Sequence, residues 1–150
     1  MRQVDTREYL DMVCQALQEG KKMVPVPVAG GSMTPFLHPG DTVFLDLLDS
    51  PPKKGDIILF TRPDGRYILH RIVQVRRDGT FILLGDAQTE REVVDGIHRI
   101  HARVTCARHK GQMLTKKSLR WWFFATVWMY VVPFRYTIIK IVGFFKRKTR

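Results

Sequence analysis

One serine lies in a loop whose composition could support chemistry. Ser32 follows Gly30 and Gly31 and precedes Met33-Thr34-Pro35. Consecutive glycines permit positive φ angles and close backbone approach, and a residue before proline is pushed towards extended geometry. Such a loop displays a small hydroxyl beside backbone N–H groups that can stabilise an oxyanion, as acyl transfer requires. An ordinary glycine-rich turn has the same composition, so Ser32 needs partners elsewhere in the chain.

A histidine within an apolar segment is the second candidate. Side chains alternate along a strand, so both faces around His70 are largely apolar: Ile68 and Ile72 on its own face, and Tyr67, Leu69, Arg71 and Val73 opposite. We therefore expect His70 to be at least partly buried. Burial favours the neutral imidazole, which is the form that a general base for a serine hydroxyl needs. A hydrogen-bonded core histidine fits the same position.

Acidic residues supply a third candidate. Asp86 lies in Gly85-Asp86-Ala87-Gln88, and the loop that follows carries Glu90, Glu92 and Asp95. One interpretation is a turn followed by solvated acids. The other is a carboxylate that orients His70 and stabilises its imidazolium, as the third member of a catalytic triad does. The residues alone leave both interpretations open.

The other histidines and the two cysteines form no convincing site. His38 lies in the serine loop, while three more histidines, at positions 98, 101 and 109, occupy a basic segment without metal-ligand spacing. Cys14 and Cys106 are far apart, so we expect free thiols rather than a disulfide framework. The sequence predicts no metal site and no organic cofactor.

Short apolar runs separated by turn residues must position these side chains. Residues 5–19 predict a helix, because apolar residues recur at helical spacing and Asp5 with Glu8 forms a capping-box pattern, and Gly20 ends it. From residue 21 to about 110 the pattern is typical of an all-β domain with hairpin turns at Asp64-Gly65 and Asp78-Gly79. The predicted strands are 24–28, 42–47, 56–61, 66–75, 80–84 and 97–107.

Charge divides the chain into two unequal parts. The 150 residues are 45% hydrophobic, which suits one domain with an appendage. Residues 1–95 contain all 14 Asp and Glu beside 12 of the 25 Lys and Arg, so the net charge of +11 originates in residues 96–150. We therefore divide the chain into an N-terminal helix (1–20), a β domain (21–112) and a basic, aromatic segment (113–150).

Four ordered motifs resemble those of type I signal peptidases, over about residues 24–105. They are Gly31-Ser32-Met33-x-Pro35 with Gly40-Asp41, then Lys54-Gly55-Asp56-Ile57, then His70-Arg71-Ile72, then Gly85-Asp86-Ala87. The superfamily also contains the LexA-like self-cleaving repressors. The resemblance implies a small, twisted β-barrel or sandwich domain. Where the common bacterial enzymes and LexA-like proteins have a lysine base, this chain has His70, as in the endoplasmic-reticulum, archaeal and sporulation-associated branch.

The resemblance also implies roles for individual residues. Ser32 matches the nucleophile, His70 the general base and Asp86 the carboxylate of the Gly-Asp motif. Glu92 stands where that branch often has a second Asp, which makes it a possible accessory acid. The backbone N–H groups of Gly31 and Ser32 are the expected oxyanion hole.

The substrate that the resemblance implies is an extended signal or leader peptide of a preprotein. It would be cleaved by Ser/His acyl transfer, after pairing as an added strand beside the serine loop. Pro25 and Pro27 make the first strand an edge strand, because proline cannot donate to a central ladder. The expected substrate contacts are Val26, Val28, Met33 and Pro35.

The C-terminal segment predicts membrane association. Its first apolar run, 119–132, has one charged residue and is shorter than the roughly 20 residues that span a bilayer. Aromatic residues beside cations favour a helix lying in the lipid interface through residues 119–150, and the basic tail favours the cytoplasmic face. A tilted span and a hairpin packed on a partner protein remain alternatives. Nucleic-acid binding would leave the aromatic residues unexplained, so we expect none.

The sequence leaves three functional alternatives open. The chain could be a maturation peptidase for one particular precursor, a self-cleaving protein, or a catalytically inactive membrane adaptor that binds peptides. The first twenty residues predict one helix and neither an N-terminal signal peptide nor a membrane anchor. No DNA-binding domain is expected before the β domain, which disfavours a repressor.

Overall fold

A single antiparallel sheet, preceded by one helix and followed by two, forms the protein. The computed structural model describes residues 6–148. The helices are α1 (Thr6–Gln18), α2 (Leu119–Thr126) and α3 (Arg135–Lys148), with 3-10 segments at Ile97–Arg99 and Trp128–Phe134. The strands are β1 (Val24–Pro27), β2 (Thr42–Asp46), β3 (Ile57–Thr61), β4 (Tyr67–Val75), β5 (Phe81–Leu84), β6 (Glu92–Val94), β7 (Ile100–His109) and β8 (Gln112–Thr115). The mainly β fold with an N-terminal helix and C-terminal helices is confirmed.

The strands follow the order β1-β2-β7-β3-β4-β5-β6, with β8 paired to β7. Every pairing is antiparallel. The register shifts at three irregularities, between Phe44 and Leu45, between Leu59 and Phe60, and between Ile72 and Gln74. An extra residue bends a strand and increases its twist. The edge position predicted for β1 from its two prolines is confirmed.

Apolar side chains pack on both faces of the sheet. Along β3, Ile57 and Leu59 join the larger core cluster, which also contains buried residues of α1 and of the serine loop. Ile58 and Phe60 join the second cluster, with residues of β4, β5 and β6. Because both faces are covered, β3 is an uninterrupted apolar run instead of an alternating one.

Helix α1 contributes one buried stripe to the larger cluster. Leu10, Val13 and Leu17 are buried at helical spacing, as predicted. Gly20, just beyond the helix, has a φ of 95°, a left-handed conformation that glycine adopts without a Cβ clash. The predicted cap residue Asp5 lies outside the described residues.

Two strands were missed from the sequence, and one was predicted to begin too early. β6 lies in the acidic loop, and β8 follows the tight turn at Lys110-Gly111. Both are short, so their own residues carry little periodic signal and pairing with β5 and β7 defines them. The first three residues of the predicted strand 97–107 instead form a 3-10 turn.

The C-terminal segment packs on the β domain before it becomes exposed. Trp121, Phe124 and Trp128 belong to the larger core cluster. The ring of Phe36, in the serine loop, lies 5.4 Å from that of Trp121 and 5.2 Å from that of Phe124. Arg135, the first residue of α3, is fully buried, whereas most of α3 is exposed.

Candidate active site

Ser32 and His70 line one cavity of about 590 Å³, to which α1 and strands β1 to β4 also contribute. Its walls are mostly apolar and include Val26, Val28 and Met33, three of the predicted substrate contacts. The fourth, Pro35, does not line it, and its carbonyl accepts a 2.5 Å hydrogen bond from Arg120. Within residues 6–148 no hydrogen bond joins Ser32 to His70; such contacts are often long before substrate binds.

Within residues 6–148, the backbone geometry leaves N–H donors beside Ser32 without acceptors. The carbonyl of Gly31 accepts hydrogen bonds from the backbone N–H of Thr34 (3.1 Å) and from its hydroxyl (2.7 Å). A trans peptide holds its C=O and N–H in opposite directions, so these bonds point the N–H of Ser32 away from Thr34. Among the described residues, the N–H groups of Gly31 and Ser32 have no hydrogen-bond acceptor. This geometry suits the predicted oxyanion hole.

The Gly85–Gln88 loop supports the serine loop from behind. The backbone N–H of Ala87 donates to the carbonyl of Ser32 at 2.9 Å. A Cβ on Gly85 would lie 2.5 Å from that same carbonyl oxygen, closer than any side chain tolerates. Glycine is therefore required here for close approach, which explains its place in the Gly-Asp-Ala motif.

His70 is buried and neutral, as expected from its apolar strand. It pairs with Ile58 across β3 and β4, so its ring shares the face of the second cluster and lies 6.0 Å from that of Phe60. The residue is 2% exposed. Burial lowers the pKa of its imidazole to about 4, although Glu92 raises it in part and Arg62 lowers it further. At neutral pH the ring is a proton acceptor.

Glu92 is the carboxylate closest to the His70 ring. Its Oε2 lies 3.7 Å from Nδ1 of His70, beyond hydrogen-bonding distance. Arg62 binds the same carboxylate through two bonds, of 2.6 Å to Oε1 and 3.1 Å to Oε2. Glu92 is therefore fixed where its charge would favour an imidazolium at His70.

Asp86 is engaged by an arginine instead. Its two oxygens accept hydrogen bonds of 3.0 and 2.9 Å from Nε and Nη2 of Arg71, and both side chains are almost completely buried. This corrects the expected contact between Asp86 and His70. Neighbouring strand residues point to opposite faces, so the partner of Arg71 cannot also serve His70 from the other side of β4.

Several residues of the site were missed from the sequence. Arg62 holds Glu92, and Gln88 lines the cavity. Arg71 follows His70 in the His-Arg-Ile motif, and that position on an apolar strand was a signal that its charge would need a buried partner. Trp128 and Arg135 also reach the Gly85–Gln88 loop, from a segment interpreted only as membrane-associating.

The remaining histidines lie outside the cavity. His109 Nδ1 lies 2.8 Å from Asp41 Oδ1, and its ring is 5.2 Å from that of His38. His101 Nε2 lies 3.0 Å from the hydroxyl of Thr61. Across residues 6–148, no group of three or more His, Cys, Asp or Glu side chains is placed to hold a metal ion. The two cysteines are free.

Comparison with known proteins identifies the family. Residues 2–105 match the sequence model of the family described as Peptidase S24-like. A search of curated proteins finds no match. The matched residues include the serine loop, β4 with His70 and the Gly85–Gln88 loop, while α2 and α3 lie beyond them. The chain therefore belongs to the Peptidase S24-like family of serine-type peptidases.

Proposed function

We propose that this protein is a serine endopeptidase of the signal peptidase I type, with Ser32 as nucleophile and His70 as general base. The observation that carries the proposal is the shared cavity: a hydroxyl on a tight loop and a buried histidine of lowered pKa line the same apolar space. Unpaired backbone N–H groups adjoin the serine. These are the three parts that acyl transfer needs.

The reaction follows from these positions. Oγ of Ser32 bonds to the carbonyl carbon of the scissile peptide while its proton passes to His70. The N–H of Ser32 and that of Gly31 receive the oxyanion, and the Glu92 carboxylate favours the imidazolium. His70 then protonates the departing amine as the C–N bond breaks. Water then bonds to the acyl carbon as His70 takes its proton, and His70 returns that proton to Oγ as the ester C–O bond breaks and the acid product leaves.

The edge of β1 supports an extended substrate. The N–H of Val28 donates to Asp41 and its carbonyl accepts from Gly40, so Val28 is bonded on the β2 side. Successive residues of a strand direct their backbone groups to alternate sides, so the carbonyls of Pro25 and Pro27 face the free edge of β1. Neither proline has an N–H to donate there. A peptide strand added there would donate its N–H groups to β1. The Pro25 carbonyl already accepts a 3.5 Å hydrogen bond from the hydroxyl of Tyr9, which the added strand would have to share or displace.

Covalent labelling tests the proposal. A fluorophosphonate probe should modify the wild-type chain at Ser32 and leave Ser32→Ala unlabelled, with the modified peptide identified by mass spectrometry. Ser50→Ala, at a serine remote from the cavity, is the matched control and should label like the wild type.

The same samples separate the alternatives. Failure of the folded wild-type chain to label, beside a control serine peptidase that does, would favour an inactive peptide-binding adaptor. Fragments of the chain itself that appear in the wild type but not in Ser32→Ala would identify self-cleavage instead. Labelling at another serine would contradict the assigned nucleophile.

We also propose that α3 binds an anionic lipid surface. By length and composition alone, the helical stretch Trp128–Lys148 could cross a membrane. Most of its exposed side chains are apolar or cationic, among them Tyr136, Lys140, Ile141, Val142, Phe144, Arg147 and Lys148, whereas Thr137 is neutral and polar. Lys140 lies over the ring of Tyr136 and Lys148 over that of Phe144. Apolar burial with cations at the headgroups supports an interfacial location.

Vesicle binding should depend on α3. Replacement of Ile141 and Phe144 together by serine should weaken sedimentation with phosphatidylserine-containing vesicles by at least about tenfold, because two apolar side chains no longer enter the lipid. The matched control replaces Val75 and Val93, two exposed apolar residues of the β domain, and should bind like the wild type. Equal weakening in both variants, or equal binding to neutral vesicles, would contradict the proposal.

A further inference from the structure

Arg135 is the most deeply buried cation of the C-terminal segment, and its partners belong to the loop behind the nucleophile. Nη1 donates to the carbonyls of Gly85 and Gln88, each at 3.0 Å. Nη2 donates to the carbonyl of Trp128 at 3.2 Å, and the guanidinium lies 5.5 Å from the indole ring. One side chain thus holds both ends of the Gly85–Gln88 loop.

The indole of Trp128 holds the middle of the same loop. Its Nε1–H donates to the carbonyl of Asp86 at 2.7 Å, and the residue is 4% exposed. Arg71 fixes the side chain of Asp86 from the opposite direction. The C-terminal segment therefore binds the backbone carbonyls of the Gly85–Gln88 loop, and Arg71 of β4 binds its carboxylate.

One hydrogen bond connects the Gly85–Gln88 loop to Ser32. The N–H of Ala87, in the middle of this loop, donates to the carbonyl of Ser32 at 2.9 Å. The orientation of the Ser32 carbonyl fixes the whole peptide plane after the nucleophile. A movement of the loop by a fraction of an ångström would therefore turn the backbone that carries Oγ and the adjoining N–H donors.

The cost of burying Arg135 indicates that the contact is specific. Desolvation is the main effect on its guanidinium and lowers the pKa, while nearby Asp86 raises it. Its Nε finds no acceptor among residues 6–148. Burying a cation whose partners are mainly backbone carbonyls costs free energy. We therefore expect these contacts to have a role, which is to hold the loop carbonyls in place.

We propose that Arg135 is a positioning residue for the reaction at Ser32, and that the C-terminal segment beyond the family match is thereby part of the catalytic apparatus. The inference rests on the proposed peptidase function. The helix that begins at Arg135 is also the one that presents the lipid-facing side chains, so the active-site loop and the membrane helix are joined at one residue.

Kinetics of probe labelling test this role. Arg135→Met should lower the inactivation rate constant kinact of the fluorophosphonate by about tenfold to a hundredfold, because small misplacements of reacting groups are costly. KI should stay unchanged, since Arg135 does not itself line the cavity. Arg135→Lys keeps a cationic donor that can reach some of the carbonyls bound by Arg135, and it should give an intermediate kinact. The pH at which labelling declines should not move.

Arg103 supplies the matched control. It is 6% exposed and also binds two backbone carbonyls, those of Ser50 and Pro51, but away from the cavity. Arg103→Met should lower stability as Arg135→Met does, yet leave kinact of the folded fraction unchanged. Trp128→Phe provides a second variant, because it keeps an aromatic ring at this position but removes the Nε1 donor to Asp86, and it should also lower kinact.

Hydrogen exchange gives a readout that does not need activity. The Ala87 amide should exchange at least about tenfold faster in Arg135→Met than in Arg103→Met at matched overall stability. Wild-type kinact in Arg135→Met, or an equal loss of kinact in both arginine variants, would overturn the inference. If the wild-type chain itself does not label, the proposed function fails, and equal Ala87 exchange in the two variants would then overturn the positioning role separately.

Discussion

Replacing His70 with asparagine is expected to slow labelling of Ser32 by the fluorophosphonate about 10³- to 10⁴-fold. An amide of similar size fills the buried position but cannot take the proton of the Ser32 hydroxyl, and loss of a general base costs rates of this order. Second-order labelling rates, measured under conditions where both chains are folded, provide the test. His101→Asn, at another strand histidine, is the control and should label normally.

The pH dependence of the wild type should identify the same residue. Because burial lowers the pKa of His70 to about 4, the imidazole remains a proton acceptor well below pH 6.5. The labelling rate should therefore be free of a His70 titration near pH 6.5 and decline as the pH falls through about 4. Glu92→Gln should move this decline to lower pH, because the Glu92 carboxylate raises the pKa of the ring.

Stability should follow the same ionisation. Between pH 6.5 and about 4 the unfolded chain binds a proton at His70 that the folded chain does not, so stability falls as the pH falls through this window. The loss attributable to His70 is about 3 kcal/mol. Urea unfolding at several pH values should show a smaller acid loss in His70→Asn. Normal labelling by His70→Asn, or an activity midpoint near 6.5, would contradict the assigned base.

Arg71→Met is expected to lower the free energy of unfolding by about 3–5 kcal/mol. The guanidinium is fully buried, forms two hydrogen bonds with Asp86 and donates a third to the carbonyl of Gly55 at 3.0 Å. Methionine fills much of the volume but leaves the Asp86 carboxylate buried without its partner, which is the most costly way to break an ion pair. The midpoint of urea unfolding measures the effect.

A second substitution and a surface pair provide the controls. Asp86→Asn in the Arg71→Met background should recover part of the lost stability, since no uncompensated charge remains. Arg66→Met breaks the exposed pair between Arg66 and Asp64 and should change stability little. A loss in Arg71→Met no larger than that in Arg66→Met would show that the buried pair does not hold the Gly85–Gln88 loop.

Local patterns predicted most of the architecture. The apolar stripe of α1, the alternation around His70 and the two prolines of β1 each indicated the environment that the structure shows. These signals are reliable because side-chain direction follows directly from helix or strand geometry. Short elements such as β6 carried too few residues for a period to appear, and their existence depends on a neighbouring strand.

The contact partners of the charged side chains were less predictable from the sequence than the helices and strands. Glu92 and Asp86 are both acidic loop residues in the sequence, but register places Glu92 opposite Leu83, on the face of His70, whereas Asp86 meets Arg71. The single cation between Phe134 and Tyr136 likewise gave no sign that it would be buried. Segments distant along the chain decide each of these contacts.

By itself, the sequence determined a small β domain with a serine on a glycine-rich loop, a histidine on an apolar strand and a family whose members are serine-type peptidases. Spacing and composition act over a few residues, and these features are local. Only the tertiary structure decided that Glu92 faces His70, that Asp86 belongs to Arg71, and that Arg135 reaches the Gly85–Gln88 loop. The physical reason is that a charged group is buried where it finds partners, as Glu92 does in Arg62, Asp86 in Arg71 and Arg135 in the loop carbonyls, and the packed fold alone brings these distant segments together.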